Sequence, residues 1–109
     1  MLATKDTKAA IAEFREAMRL SPTIVAIQAN LARALWLDGQ YREASEIYAD
    51  LVKRFPENPT FLCNLGVSLF QENQIPEAVK CFERALQINP DLQDARLNLE
   101  TARKALGEN

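Results

Sequence analysis

Three asparagines, Asn30, Asn64 and Asn98, stand 34 residues apart. A primary amide offers both a donor and an acceptor, so each can pair with the N–H and C=O of an extended peptide without reading its side chains. One such pair contributes about 1 kcal/mol net, which supports binding but cannot supply it alone. The same amides could instead bond to neighbouring elements of their own chain, and the sequence leaves both uses open. Catalytic chemistry is harder to assemble. The chain has no histidine, which removes the commonest general base and the commonest metal ligand. Cys63 and Cys81 lie 18 residues apart with neither a zinc-ligand set nor a Cys–His nucleophile available to them. Ser45 and Ser68 have no base partner. No enzyme, no metal and no cofactor are expected.

Charge and length narrow the classes further. The 109 residues carry 13 Lys+Arg against 15 Asp+Glu, a formal net charge of −2. One domain is the natural expectation at that length, with a real but limited core. Nucleic acids and anionic membranes want a basic surface, so neither is an expected partner. No run approaches the ~18 apolar residues of a membrane span, and Met1–Asp6 lacks the apolar stretch of a secretory signal. Two cysteines form at most one bridge, fewer than a disulfide-built domain of this size would use. Two reduced thiols, at least one of them in a core, are expected, which fits a reducing, cytoplasmic setting.

What must position these residues is a repeat. Pro22, Pro56 and Pro90 share the asparagines' spacing of 34. At the same offset Ala10 falls on Ala44 and Ala78, Phe14 on Tyr48 and Phe82, and Leu31 on Leu65 and Leu99. Ala17 falls on Leu51 and Ala85, and Ala32 on Gly66. Chance does not align small residues with small ones and aromatics with aromatics across three copies. Each period reads as helix, short turn, helix. Leu31, Ala32 and Leu35 form one stripe, and Ala44, Ile47, Tyr48 and Leu51 form another with the i, i+3, i+4, i+7 spacing of a buried helix face. Gly39 can take the left-handed conformation that closes a helix, and Asn73 occupies its place in the next copy. Pro59 and Pro76 fit a first helical turn, and the residues before Pro56 and Pro90 end the second helices. Glycine inside a helix costs about 1 kcal/mol, so Gly66 needs a steric reason, and close approach of the paired helix supplies one.

These columns resemble the tetratricopeptide repeat (TPR) family, a 34-residue helix–turn–helix unit. Asn64-Leu65-Gly66, then Ala78-Val79-Lys80-Cys81-Phe82-Glu83-Arg84-Ala85, then Asn89-Pro90, follow the family pattern with few departures. The copy at 25–58 departs at Gln28, Ala32 and Leu51. The resemblance covers nearly the whole chain, from about Thr7 to Leu106. It implies an all-α, right-handed helical solenoid of about six helices. The single domain 1–109 divides into a half repeat at 7–20 (second helix only), repeats at 24–56 and 59–90, and a C-terminal capping helix at 92–106.

The two ends differ. In the last helix Arg96, Glu100 and Arg103 take positions that earlier copies fill with Gln28/Leu62, Ala32/Gly66 and Leu35/Leu69, a charged face suited to solvent. The N-terminal helix keeps an apolar face, Ala10, Ile11, Phe14, Ala17 and Met18. Met1–Asp6 lines up with Leu35–Gln40, the tail of a first helix, so the chain reads as starting in mid-unit. That points to the C-terminal portion of a longer array, or to self-association through Ala10, Ile11, Phe14 and Met18 into a homo-oligomer.

The resemblance also implies that first helices line an inner, concave wall and that a protein or peptide partner binds there. The groove residues are then Asn30, Arg33, Trp36, Cys63, Asn64, Val67, Phe70, Leu97, Asn98 and Thr101. Trp36 and Phe70 are candidate anchors for an apolar side chain, unless they pack on each other or on Met1 and Leu2. Some TPR domains clamp acidic chaperone C-termini with lysines, arginine and asparagines. Here Ala29, Asp94 and Asn98 fill most of the basic positions of that clamp, leaving Arg33 as the main cation and disfavouring that partner class.

Overall fold

The computed structural model describes residues 5–107, and these form six α-helices joined by short turns. They are α1 Lys5–Leu20, α2 Val25–Leu37, α3 Tyr41–Arg54, α4 Pro59–Gln71, α5 Ile75–Ile88 and α6 Gln93–Ala105. Each stands where the repeat places it, to within two residues at either end. Met1 and Leu2, and with them any packing on Trp36 or Phe70, lie outside the described residues.

Local chemistry explains the breaks. After α2, Gly39 sits at φ +84°; its N–H bonds to Trp36 O (3.0 Å) and the next N–H, of Gln40, to Leu35 O (2.8 Å). After α4, Asn73 at φ +64° repeats the arrangement, with Gln74 N–H on Leu69 O at 2.9 Å. This pair of bonds satisfies carbonyls that a helix end would leave bare, and it needs the left-handed residue at its centre. Gly107, again 34 residues on, has φ +81° at the end of α6. At the start of α4 the Asn58 side chain accepts from Phe61 N–H (3.0 Å), and Pro59 takes the first helical position.

Packing runs from helix to helix along the chain, most extensively between α4 and α5. Three apolar clusters follow one another. Ile11, Leu31, Ala34, Leu35 and Ala44 join α1 to α2 and α3. Ala32, Tyr48, Leu51 and Leu65 join α2 and α3 to α4. Leu62, Ala78, Phe82, Ala95 and Leu99 join α4, α5 and α6. The small residues are where the helices meet: Ala32, Ala44, Ala78, Ala85, Ala95 and Ala102 are wholly buried. Gly66 has the steric reason the sequence demands. A Cβ there would lie 2.6 Å from Cε1 of the buried Phe82 ring and 2.9 Å from two more of its carbons. The outcome is an all-α helical-repeat solenoid, 45 × 29 × 20 Å. Its radius of gyration, 14.1 Å, exceeds the about 13 Å of a compact domain of this length.

One expectation about the ends needs correction. Ile11 is not on an open face: it is 7% exposed and packed into the first cluster, because the stripe 11, 14, 18 of α1 turns onto α2 and α3. Phe14 and Met18 flank that cluster half-buried, and Ala10 is half-buried beside them. At the other end Arg96, Glu100 and Arg103 are all exposed. Arg103 donates to Glu83 on α5 (2.8 Å) and Arg96 to the Pro90 carbonyl (2.6 Å).

Candidate peptide-binding groove

Three hollows follow one another along α2, α4 and α6, and each contains one asparagine of the ladder. The first, about 330 Å³, lies between α1 and α2 with Asn30, Arg33, Leu37, Ala10 and Phe14 in its lining. The middle one, about 360 Å³, lies among α2, α3 and α4 and is lined by Arg33, Trp36, Leu37, Tyr48, Asn64, Val67 and Ser68. The third, about 170 Å³, has Val67, Phe70, Gln71, Phe82, Asn98 and Thr101 around it. Helical repeats at a constant period explain the succession: the same helix position faces the same way in each copy.

The three amides are not equivalent. Among the described residues, the side chains of Asn30 and Asn64 have no hydrogen-bond partner, so both can receive a ligand. Asn98 is turned toward Cys63, its Nδ2 being 3.8 Å from Sγ, a weak contact that ties α6 to α4. Arg33 is exposed, borders two hollows and makes no ion pair among the described residues. Among the described residues, no carboxylate lines the middle hollow.

Several predicted groove residues are placed differently. Cys63 is 5% exposed and lies beneath Asn98 in the core, so it is a floor residue and not a contact surface. Burial raises its thiol pKa, partly offset by the Asn98 bond. Burial likewise pushes Cys81 up to about 11, with repulsion from Cys63 and Glu77 adding to it. In both, burial favours the thiol over the thiolate. Trp36 is no free anchor. It is half-buried, packs edge-on against Tyr41 with ring centroids 5.8 Å apart, and presents the wall of the middle hollow. Phe70 is half-buried in the third hollow. Leu97 is 56% exposed but lines none of the three, and Thr101 donates its hydroxyl to Leu97 O (3.1 Å).

Two residues of the middle hollow fall outside the first-helix stripe read from the sequence, Tyr48 because it is on a second helix and Ser68 because it is on the packed side of α4. Tyr48 reaches it from α3, 5% exposed, its phenol pKa raised by burial and pulled back by the charge of Arg33. Ser68 is fully buried on α4, and its hydroxyl has no partner among the described residues. A signal for both existed in the columns. The serine stands among Ala34 and Ala102, and the tyrosine between Phe14 and Phe82.

The repeat architecture has counterparts among known proteins. One tetratricopeptide repeat profile matches residues 1–62 and a second matches residues 59–92. A DnaJ homolog subfamily C member 7 homolog of Dictyostelium discoideum is 32% identical over 77 residues. That alignment covers 71% of this chain and 14% of the relative. Among solved structures, the Sgt2 TPR domain from Aspergillus fumigatus superposes with a TM-score of 0.84 at 20% identity, covering 94% of this chain and 70% of that one. The first TPR of Spaghetti (RPAP3), bound to the HSP90 peptide SRMEEVD, gives 0.86 at 21% identity, covering 94% and 82%. At these identities the structural likeness concerns the fold. No helix among the described residues is long and apolar enough to cross a membrane.

Proposed function

The chain belongs to the tetratricopeptide repeat family, and from that premise we propose that this protein-interaction module holds an extended peptide segment of a partner along α2, α4 and α6. The observation that carries the reading is the ladder. Successive hollows each contain one asparagine, and the amides of Asn30 and Asn64 are open to a peptide backbone. Leu37, Val67 and Phe70 give the hollows apolar walls for alternate side chains. The bound HSP90 peptide of the RPAP3 domain supports the mode of binding and says nothing of this chain's partner. Three first helices offer a surface near the low end of specific interfaces, about 1,200 Å² in total, so micromolar, exchangeable binding is expected.

The test begins with selection of peptides from a random dodecamer library on the immobilised protein. The Kd of the best peptide is then measured by fluorescence polarisation. Replacing Asn30 and Asn64 together with alanine removes two amide pairs, each about 1 kcal/mol, and should weaken binding roughly tenfold or more while circular dichroism is unchanged. Unaltered affinity would sink the ladder. Self-association through α1 is the alternative. It keeps Ala10, Phe14 and Met18 but loses Ile11 to the core, so its surface is narrower than the sequence suggests.

A further inference from the structure

We propose that the end face of the solenoid formed by α1 docks an amphipathic helix supplied by a second, different polypeptide. Ala10, Phe14 and Ala17 stand on that face, and all three are half-buried. Their copies at the 34-residue offset are buried: Ala44, Tyr48 and Leu51 on α3, and Ala78, Phe82 and Ala85 on α5. The difference lies in what covers them. In each full repeat the first helix lies across the second, α2 on α3 and α4 on α5, and no described helix takes that side of α1. Leu20, one turn beyond Ala17 on the edge of this face, is 65% exposed. The hollow between α1 and α2 repeats the middle one with a wall fewer. Phe14, Asn30, Arg33 and Ala34 line it where Tyr48, Asn64, Val67 and Ser68 line the middle hollow. The middle hollow is closed opposite them by Trp36 of the preceding first helix, which has no counterpart among the described residues of the first.

The face continues an interface already present in the molecule, and that interface specifies the occupant. Along α1 the order is small, large, small: Ala10, Phe14, Ala17. Between α5 and α4 the same order, Ala78, Phe82, Ala85, meets large, small, large: Leu62, Gly66, Leu69, with the glycine against the ring. Close packing rewards bulk set against hollow. The occupant is therefore a helix antiparallel to α1, with bulky apolar residues at i and i+7 and glycine or alanine at i+4. Charge adds to the match. Glu13, on the same edge as Leu20, is exposed and has no hydrogen bond or ion pair among the described residues. Lys8, Arg15 and Arg19, by contrast, each hold a carboxylate of this chain. A lysine or arginine on the flank of the docked helix complements Glu13.

A second copy offers no such helix. Both α2 and α4 are packed between neighbours on either side. The last helix, α6, is of the first-helix type, but it carries Arg96, Glu100 and Arg103 in the places of Leu62, Gly66 and Leu69. Its Glu100 would press a charged side chain onto Phe14, so copies do not stack end to end. Two α1 helices packed antiparallel would set ring against ring and carboxylate near carboxylate at Phe14 and Glu13. The partner is thus foreign, and the contact is heterologous.

The experiment uses the whole chain and a synthetic peptide of its residues 58–74, α4 with its cap and turn, labelled with a fluorophore and extended by lysines at its C-terminus. Fluorescence polarisation should give saturable binding, and amide NMR shifts should centre on Ala10, Glu13, Ala17 and Leu20. Gly66→Leu in the peptide should weaken binding roughly tenfold or more, because the leucine meets the Phe14 ring. Ala17→Arg in the protein should do the same at an unchanged circular dichroism spectrum. Leu20→Lys changes an exposed side chain, so it should leave folding intact and weaken binding several-fold. Asn64→Ala, in the groove, should have no effect. Absence of saturable binding, indifference to Gly66→Leu, or shifts centred on the groove would each overturn the proposal, as would binding that survives Ala17→Arg and Leu20→Lys. A dimer in light scattering that Ala17→Arg dissolves would make the occupant a second copy and also overturn it. None of these results bears on the groove, whose test is separate.

Discussion

Gly66→Ala isolates the close contact between α4 and α5. Helix propensity alone favours the alanine by about 1 kcal/mol. The added Cβ, however, would sit 2.6 Å from Phe82 Cε1, well inside van der Waals contact. Phe82 is 1% exposed and packed among Leu62, Ala78, Ala85 and Ala95, so the ring can yield only toward the third hollow, which it lines. Overpacking of this kind costs about 1–3 kcal/mol. The two terms leave a net loss of about 0–2 kcal/mol, and the upper half of that range is expected because the contacted ring is buried. In urea melts followed by circular dichroism, that loss lowers the midpoint by roughly 0.5–1 M at unchanged slope. The preceding repeat supplies the counter-case, since Ala32 meets Tyr48 there with both buried. If α4 and α5 can relax to that spacing, Gly66→Ala will equal or exceed the parent in stability, and the steric account of this glycine is refuted. Phe82→Leu in the Gly66→Ala background should recover part of the loss, since the shorter side chain vacates the space the methyl needs.

Two further predictions concern charge and backbone. Hydrogen bonds from Arg15, at 2.7 and 2.9 Å, hold the Glu43 carboxyl below its ordinary pKa. A depressed carboxyl stabilises the fold above the unfolded value, ~4.3, and that contribution is lost as pH falls through the folded one. Both partners are more than 40% exposed, so Glu43→Gln should cost only a few tenths of a kcal/mol at pH 7. The gap between variant and parent should close on acidification; a gap that widens would contradict the pairing. Asn73, at φ +64°, occupies a conformation that glycine takes freely, so Asn73→Gly should raise the melting temperature slightly. Asn73→Val should lower stability by about 1–2 kcal/mol, and equal melting temperatures for the two would mean the turn has reshaped.

The fold was legible because its determinants are local and repeated. Gly39 and Asn73 stop helices by backbone conformation, Pro59 starts one, and the 34-residue offset presents each decision more than once. The site was legible only as far as one helix type could be read. Asn30, Asn64 and Arg33 line hollows because the first-helix stripe that carries them is periodic. Cys63 and Ile11 sit on the margin between stripe and core, where a rotation of the helix by part of a residue decides burial, and composition does not encode that rotation. Trp36 was misjudged because Tyr41, beyond the turn, folds back onto it. Tyr48 comes from a second helix, and Ser68 is visible in sequence only as a lone hydroxyl in an alanine column.

Each helix rests chiefly on its neighbours in sequence, and among the described residues the more distant pairings are slight, α4 with α6 and α1 with α3 through Arg15 and Glu43. Such a molecule behaves as a one-dimensional stack, in which order spreads from unit to unit instead of condensing around one centre. Its contacts are short-range along the chain, which favours rapid folding from more than one starting point. A peptide gripped between α2 and α4 would brace the middle of that stack. The outer helices α1 and α6 would keep opening equilibria of their own, so fraying at the ends and release of the partner are separate events.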